Sequence, residues 1–317
     1  MLSRSEITEY AEKVLEQVRK AVVGKDEVLF WVLATVLARG HILIEDIPGV
    51  GKTTLALAFS RALGLAHNRV QFTPDVLPSD VTGYSVLEQT TGQMTYRPGA
   101  VLCNLFLADE LNRATSRTQS ALLEAMEEDQ VTVDGVTHPL PSPFVVIATQ
   151  NPAGAAGTQL LPDSQIDRFT VCLRLGYPDF DDEVHMVRDR GGKNPLEDIT
   201  CVMDTQTLCA LRQEVAQTYI SDEVIGYTVS LMEATRNEPR LLRGASPRAT
   251  LAVVSMAKAI AAMEGRDYVV PEDVRRVLPA TVCHRLIVSR EALLKGATAQ
   301  TVLNELLASV TPPKLKA

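Results

Sequence analysis

The chain is poor in the residues that would staple or metallate it. Its five cysteines (Cys103, Cys172, Cys201, Cys209 and Cys283) are odd in number, and none stands in a Cys-x-x-Cys pair. That pattern speaks against a disulfide framework or a zinc site and predicts reduced, mostly buried thiols in a cytoplasmic protein. The five histidines, His41, His67, His138, His185 and His284, show no ligand spacing, so none is read as a metal ligand. There is no run of Lys and Arg, and the formal net charge is −8; both speak against a protein that coats nucleic acid. No apolar stretch reaches the length that spans a bilayer, so membrane insertion is not expected. Residues 1–20 are charged and amphipathic, unlike a signal peptide. Internal repeats and low-complexity tracts are also missing, which removes the solenoid and disordered classes.

What remains is an ordinary globular composition, 46% hydrophobic and 22% charged over 317 residues, long enough for two domains. Helical periodicity runs over residues 5–20, with Ile7, Ala11, Val14, Leu15 and Val18 on one face, and again over 26–38, where Trp31 reads as core packing. Short apolar, β-branched runs at 41–45, 69–72, 105–108, 144–149 and 171–175 read as buried strands, with helical stretches between several of them. That alternation predicts an α/β fold, a parallel sheet with helices on both faces. Two hairpins interrupt it, one around Thr91-Gly92 and a stronger one at Asp134-Gly135, a pair suited to a type I′ turn. From about residue 181 the strand signals fade and the chain turns helical. The expected division is therefore 1–190, an α/β core with the two inserted hairpins, and 191–317, a smaller all-α lid.

The chemistry concentrates at strand ends. After the strand at 41–45 comes Asp46-Ile-Pro-Gly49-Val-Gly51-Lys52-Thr53, and a helix follows. Polyphosphate recognition needs converging backbone N–H groups, an ammonium on the terminal phosphates and a hydroxyl on the metal. Gly49, Val50, Gly51, Lys52, Thr53 and Thr54 supply that set, although Asp46 stands where the general phosphate-loop pattern has its first glycine. The bland alternative is a chance glycine-rich turn. A second strand ends in Asp109 and Glu110, at the end of a parallel sheet where ligands bind. Asp109 together with Thr53 is expected to hold Mg2+, and Glu110 to polarise the attacking water. A third strand ends in Asn151, read as a water-orienting residue, though Asn151-Pro152 is also an ordinary turn initiator.

Two arginines complete the set. Arg248 follows Ser246, an N-cap, and Pro247 in the first turn of a helix, where the dipole disfavours a cation. That misfit suggests an anion, with bound nucleotide the obvious one and solvated arginine the alternative. Arg168 either pairs with the nearby Asp163 or Asp167, or reaches a neighbouring copy's γ-phosphate as an arginine finger.

These words together resemble the AAA+ superfamily and, more narrowly, the MoxR-type ATPases. The matching segments are Val23-Gly24-Lys25, residues 44–54, 71–83 (Gln71-Phe-Thr-Pro-Asp-Val-Leu-Pro-Ser-Asp80-Val-Thr-Gly83), 97–100, 108–114, 118–128, 148–152, 167–169 and 244–249. The resemblance implies ATP and Mg2+ as cofactors and Lys52 and Glu110 as catalytic groups. It also implies Asn151 as sensor 1, Arg248 as sensor 2 and Arg168 as the arginine finger. It adds Arg113 and Arg117 as further positions facing a neighbour, and Val22 and Val23 as residues flanking the adenine. Asp46 is usual at its position in this family, whereas Arg117 stands where lysine is common. The two hairpins look like the helix-2 insert and the pre-sensor-1 hairpin. By resemblance such proteins form hexameric rings and remodel client proteins, in enzyme maturation or metal insertion, often with partners carrying von Willebrand factor A domains. A nucleic-acid motor and a magnesium-chelatase-like subunit share the same core and stand as alternative readings.

Overall fold

The computed structural model describes residues 3–47, 49–90, 92–151, 161–189 and 194–314. Two helices, α1 (Arg4–Arg19) and α2 (Asp26–Leu37), lead into β1 (Ile42–Glu45) and α3 (Lys52–Ala62). Next come β2 (His67–Gln71), α4 (Pro78–Thr82), the hairpin β3 (Gly83–Leu87) and β4 (Met94–Pro98), and β5 (Leu105–Asp109). Then follow α5 (Ser116–Glu128), the hairpin β6 (Gln130–Val133) and β7 (Val136–Pro139), β8 (Val145–Gln150), α6 (Asp163–Ile166), β9 (Val171–Leu173) and α7 (Phe180–Asp189). The rest is helical apart from two short strands: α8 (Thr205–Ala216), α9 (Asp222–Arg236), β10 (Leu241–Arg243), α10 (Pro247–Met263), α11 (Pro271–Val282), β11 (Ile287–Val288), α12 (Arg290–Leu294) and α13 (Ala299–Ser309).

Five strands form one parallel sheet in the order β2-β5-β8-β1-β9. Because side chains alternate along a strand, each central strand feeds two separate cores. Ile42, Ile44, Leu105, Leu107, Val145 and Ile147 pack with α1, α2, α3 and the lid helices. Leu43, Phe106, Ala108, Val146 and Ala148 pack with Leu122, Leu123 and Met126 of α5 on the other face. Both faces being covered, β5 and β8 are buried at every position, which is why they read as unbroken apolar runs. The alanine-rich α10 buries Ala257, Ala259, Ala261 and Ala262 and joins the same core as α1 and α2, so the lid and the sheet domain share one hydrophobic interior.

The α/β sheet with a helical C-terminal lid is the architecture predicted. Both hairpins form, and Asp134 and Gly135 take the positive φ angles, 50° and 80°, that a tight turn needs. The lid carries one departure, the antiparallel pair β10–β11. Three- and two-residue strands are too short to leave a period in the sequence. The division expected between 190 and 191 falls outside the described residues. Among the described residues no helix is long and apolar enough to cross a membrane.

Candidate active site

All five strands being parallel, their carboxyl ends lie along one edge of the sheet, and three of the expected segments meet there. β1 ends at Glu45 and the chain bends through Gly49 (φ 89°) and Gly51 (φ 92°) into α3. A side chain at either glycine would be strained by that left-handed backbone, yet would meet nothing within 4 Å. The loop therefore borders open space, and α3 begins on Gly51 with no side chain capping its free N–H groups. Asp46 explains its own place in the loop. Its carboxylate is buried and accepts from the N–H of Ile47 (2.8 Å) and of Gly176 (2.6 Å), tying the loop to the segment after β9.

Lys52 opens α3 with its side chain buried, and its Nζ donates to the Asp46 carbonyl oxygen at 2.8 Å. Burial pushes the ammonium pKa down, while the charges of Asp109, Asp46 and Glu110 oppose that shift. Thr53 and Thr54 follow, both half-buried.

β5 delivers the two acids. Thr149 of β8 stitches them together: its hydroxyl donates to Asp109 Oδ1 (2.6 Å) and accepts from the Glu110 N–H (2.9 Å). Asp109 Oδ2 accepts from Arg69 of β2 at 2.7 Å. Glu110 sits in left-handed backbone (φ 56°, ψ 43°), a conformation that costs a glutamate roughly 1–3 kcal/mol and clusters at functional sites. One carboxylate oxygen of Glu110 accepts from Arg113 Nη1 at 2.7 Å, the other from Asn151 Nδ2 at 3.1 Å. The Arg113 bond, with Asn151 and Gln71 adding to it, holds the Glu110 carboxyl below the usual carboxylate range against the effect of burial. Asn151 is itself fixed by backbone exchanges with Asn112, at 3.2 and 3.4 Å. Its Oδ1 is buried with no protein partner, an acceptor left over beside Glu110.

The expected adenine-flanking residues lie on the turn between α1 and α2. Val22 is buried and Val23 half-buried, and Val22 and Val50 belong to one hydrophobic cluster. The turn abuts the segment after β9: Lys25 Nζ donates to the Tyr177 carbonyl at 2.7 Å, and a Cβ on Gly24 would collide with the Asp182 carboxylate.

The arginines distribute differently from expectation. Arg113 bonds its own chain's Glu110 and stays partly exposed, and Arg117 is exposed in the first turn of α5. Arg168 pairs with neither Asp163 nor Asp167. It meets Glu127 of α5 at 2.9 Å, and Arg248 ion-pairs with the other oxygen of the same carboxylate. Asp163 is taken by Arg243, and Asp167 by Arg285 and Ser246. The groove around Glu127, Arg168 and Arg248 is lined also by Arg39, His41 and Thr170, which precede β1 and β9. It lies at the amino ends of strands whose carboxyl ends carry the phosphate loop. Four residues of β1 separate the two levels, about 13 Å at 3.3 Å per residue. Arg248, expected on the chain's own nucleotide, is not brought to that loop. Its helix is tied through the cap Ser246 to Asp167, ahead of β9, and Arg248 itself is engaged by Glu127.

Sequence reasoning singled out neither Arg69, Thr149 nor Glu127 as site residues. Thr149 and Glu127 fall inside segments matched to a family, but a lone arginine on an edge strand gives no signal.

The groups present suit Mg2+. Among the described residues no cluster of three or more His, Cys, Asp or Glu side chains forms a protein cage. Magnesium in nucleotide sites is held instead by one or two protein oxygens, substrate phosphates and water; Thr53, in the first turn of α3, and Asp109, whose oxygens here accept from Thr149 and Arg69, are the oxygens that would provide them.

Comparison with known proteins follows the same lines. Residues 41–171 match the ATPase family associated with various cellular activities (AAA), and residues 233–306 match an AAA lid domain. The chain is 42% identical to the uncharacterized protein YeaC of Bacillus subtilis, over 95% of this chain and 94% of that protein. It is 36% identical to chaperone MoxR1 of Mycobacterium tuberculosis, over 96% of this chain and 83% of that protein. The crystal structure of a candidate ATPase from Cytophaga hutchinsonii superposes with a TM-score of 0.89 at 34% identity, covering 98% of this chain and 97% of that one.

Proposed function

The chain belongs to the MoxR family of AAA+ ATPases, and from that premise we propose that it binds ATP with Mg2+ at the loop after β1 and hydrolyses it in a ring of copies that remodels client proteins. Residues 1–190 act as the nucleotide-binding core and 191–317 as the lid. Clients undergoing enzyme maturation or metal insertion, and a von Willebrand factor A-domain partner, fit the role of the relative named as a chaperone.

One observation carries the reading. Glu110 is fixed through Arg113 and Asn151 at the end of β5, while the buried ammonium of Lys52 feels the charges of Asp109 and Glu110. In the proposed chemistry the N–H groups of residues 49–54 cradle the phosphates, and Lys52 leaves the Asp46 carbonyl for the terminal ones. Thr53 and Asp109 would hold Mg2+, whose charge would offset that of the phosphate oxygens. Glu110, its pKa held down by Arg113, Asn151 and Gln71, aligns the attacking water. The spare Oδ1 of Asn151 accepts the water's second hydrogen bond. Arg168 and Arg248, at the far end of the sheet from their own loop, serve the terminal phosphate held by a neighbouring copy.

Glu110→Gln is expected to slow hydrolysis by roughly 10²–10⁴ while ATP binding, measured by calorimetry, stays within a few fold. Lys52→Ala is expected to weaken binding itself by roughly 10- to 100-fold, the worth of a hydrogen bond to a charged group. Unchanged turnover in Glu110→Gln removes Glu110 from its role. Unchanged affinity in Lys52→Ala removes the nucleotide from this loop.

A further inference from the structure

Arg168 stands just before β9 and Arg248 in the first turn of α10, eighty residues apart, yet their guanidinium groups share one carboxylate. Glu127 Oε2 accepts from Arg168 Nη1 at 2.9 Å and Glu127 Oε1 from Arg248 Nη2. The acids nearest to Arg168 in sequence are committed elsewhere, Asp163 to Arg243 (3.2 Å) and Asp167 to Arg285 (3.3 Å). A second layer fixes the backbone beneath. Ser246 Oγ donates to the Asp167 carboxylate at 3.0 Å while capping α10. The buried Arg285 donates to the carbonyls of Asp167 (3.2 Å) and Phe169 (2.7 Å), on either side of Arg168. The strand end and the lid helix are therefore locked together through Asp167, and the tips of the two arginines through Glu127.

Two like charges brought together repel, and each long side chain loses rotamer freedom when it is held. A carboxylate between them offsets both costs. It uses one N–H of each guanidinium where five are available, so donors remain for a phosphate. It also leaves the pair with a net positive charge, beside Arg39, along an open groove of about 460 Å³. The last turn of α5 lines this groove with Met126, Glu127 and Glu128, and of its two carboxylates Glu127 is the one that meets both guanidinium groups.

We propose that Glu127 is the positioning residue of a two-arginine clamp: it holds Arg168 and Arg248 side by side so that they meet a neighbouring copy's terminal phosphate as one unit. The proposal rests on the reading above, that these arginines act on a neighbour's nucleotide. Glu127 touches no substrate; it acts through the arginines.

The test uses the assembled full-length protein. Glu127→Gln is expected to lower kcat by roughly 10- to 100-fold, the usual scale for misplacing a group by about an ångström. KM for ATP with magnesium should stay unchanged, since the variant's own loop is intact. Glu127→Asp, which keeps the charge on a shorter stem, is expected to fall between the two. Adding Lys52→Ala subunits, which hold intact Arg168, Arg248 and Glu127, should restore turnover at the variant's own sites. A Glu127→Gln protein as fast as the unchanged one, while Arg168→Ala is inactive, overturns the proposal and leaves the trans reading standing. A faster Glu127→Gln protein also overturns it, making Glu127 a competitor for the arginines. Loss of activity in both Glu127 variants that Lys52→Ala subunits do not relieve makes Glu127 structural within its own chain, and the proposal fails. If Arg168→Ala and Arg248→Ala turn over normally, the trans reading itself is gone.

Discussion

At Glu110 the backbone cost and the electrostatics point the same way. A glutamate sits at φ 56° where Thr149 and Asn151 from the β8 segment and Arg113 from the following turn bond its N–H and both carboxylate oxygens. Arg113 is the first cause of its depressed pKa, and the depression favours the ionised form needed to align water. Removing that bond raises the pKa toward its ordinary value, with Asn151 and Gln71 still opposing the effect of burial. The carboxylate then protonates at higher pH. Arg113→Ala is accordingly expected to shift the acid limb of the pH–rate profile to higher pH, while its neutral plateau is reduced less than by Glu110→Gln. An acid limb that stays in place separates Arg113 from this function. Asp109, Glu110, Lys52 and Asn151 were legible in the sequence because each ends a buried strand or opens a helix, a local context. The partners of Arg168 and Arg248 were not. Neighbouring acids look like partners along the chain, but pairing is decided by which groups the packed elements bring within 4 Å.

Elements were legible in proportion to how fully they are buried. β5 and β8, covered on both faces, announce themselves as apolar runs, and α1 by the stripe Ile7, Ala11, Val14, Leu15 and Val18. β2 is an edge strand of His67-Asn-Arg-Val-Gln71, mostly exposed, so its start two residues earlier than expected carried no hydrophobic signal. Capping was readable too. Ser246 accepts from the Ala249 N–H at 3.2 Å with Pro247 in the first helical position, but its second bond, to Asp167, is a tertiary fact. Ser246→Ala is expected to cost about 1 kcal/mol for the lost cap. It is also expected to speed amide exchange at the start of α10 relative to the helix centre. Exchange unchanged there means that the lid does not depend on this tie.

In the whole molecule, the phosphate loop and the paired arginines occupy opposite ends of one parallel sheet. An arginine side chain is shorter than that separation, so the proposed site, which needs both, would take its loop from one copy and its arginines from another. The sequence showed the two halves of such a site but not their separation, which follows only from strand order and direction. The assembled account reduces to one measurement. Arg168→Ala and Lys52→Ala proteins, each inactive alone, are mixed and steady-state ATP hydrolysis is followed as the ratio varies. Where a Lys52→Ala copy lends its arginines to the intact loop of an Arg168→Ala copy, activity should return, with a maximum at intermediate ratios. Mixed assemblies, verified by mass, that remain as inactive as either parent would contradict it.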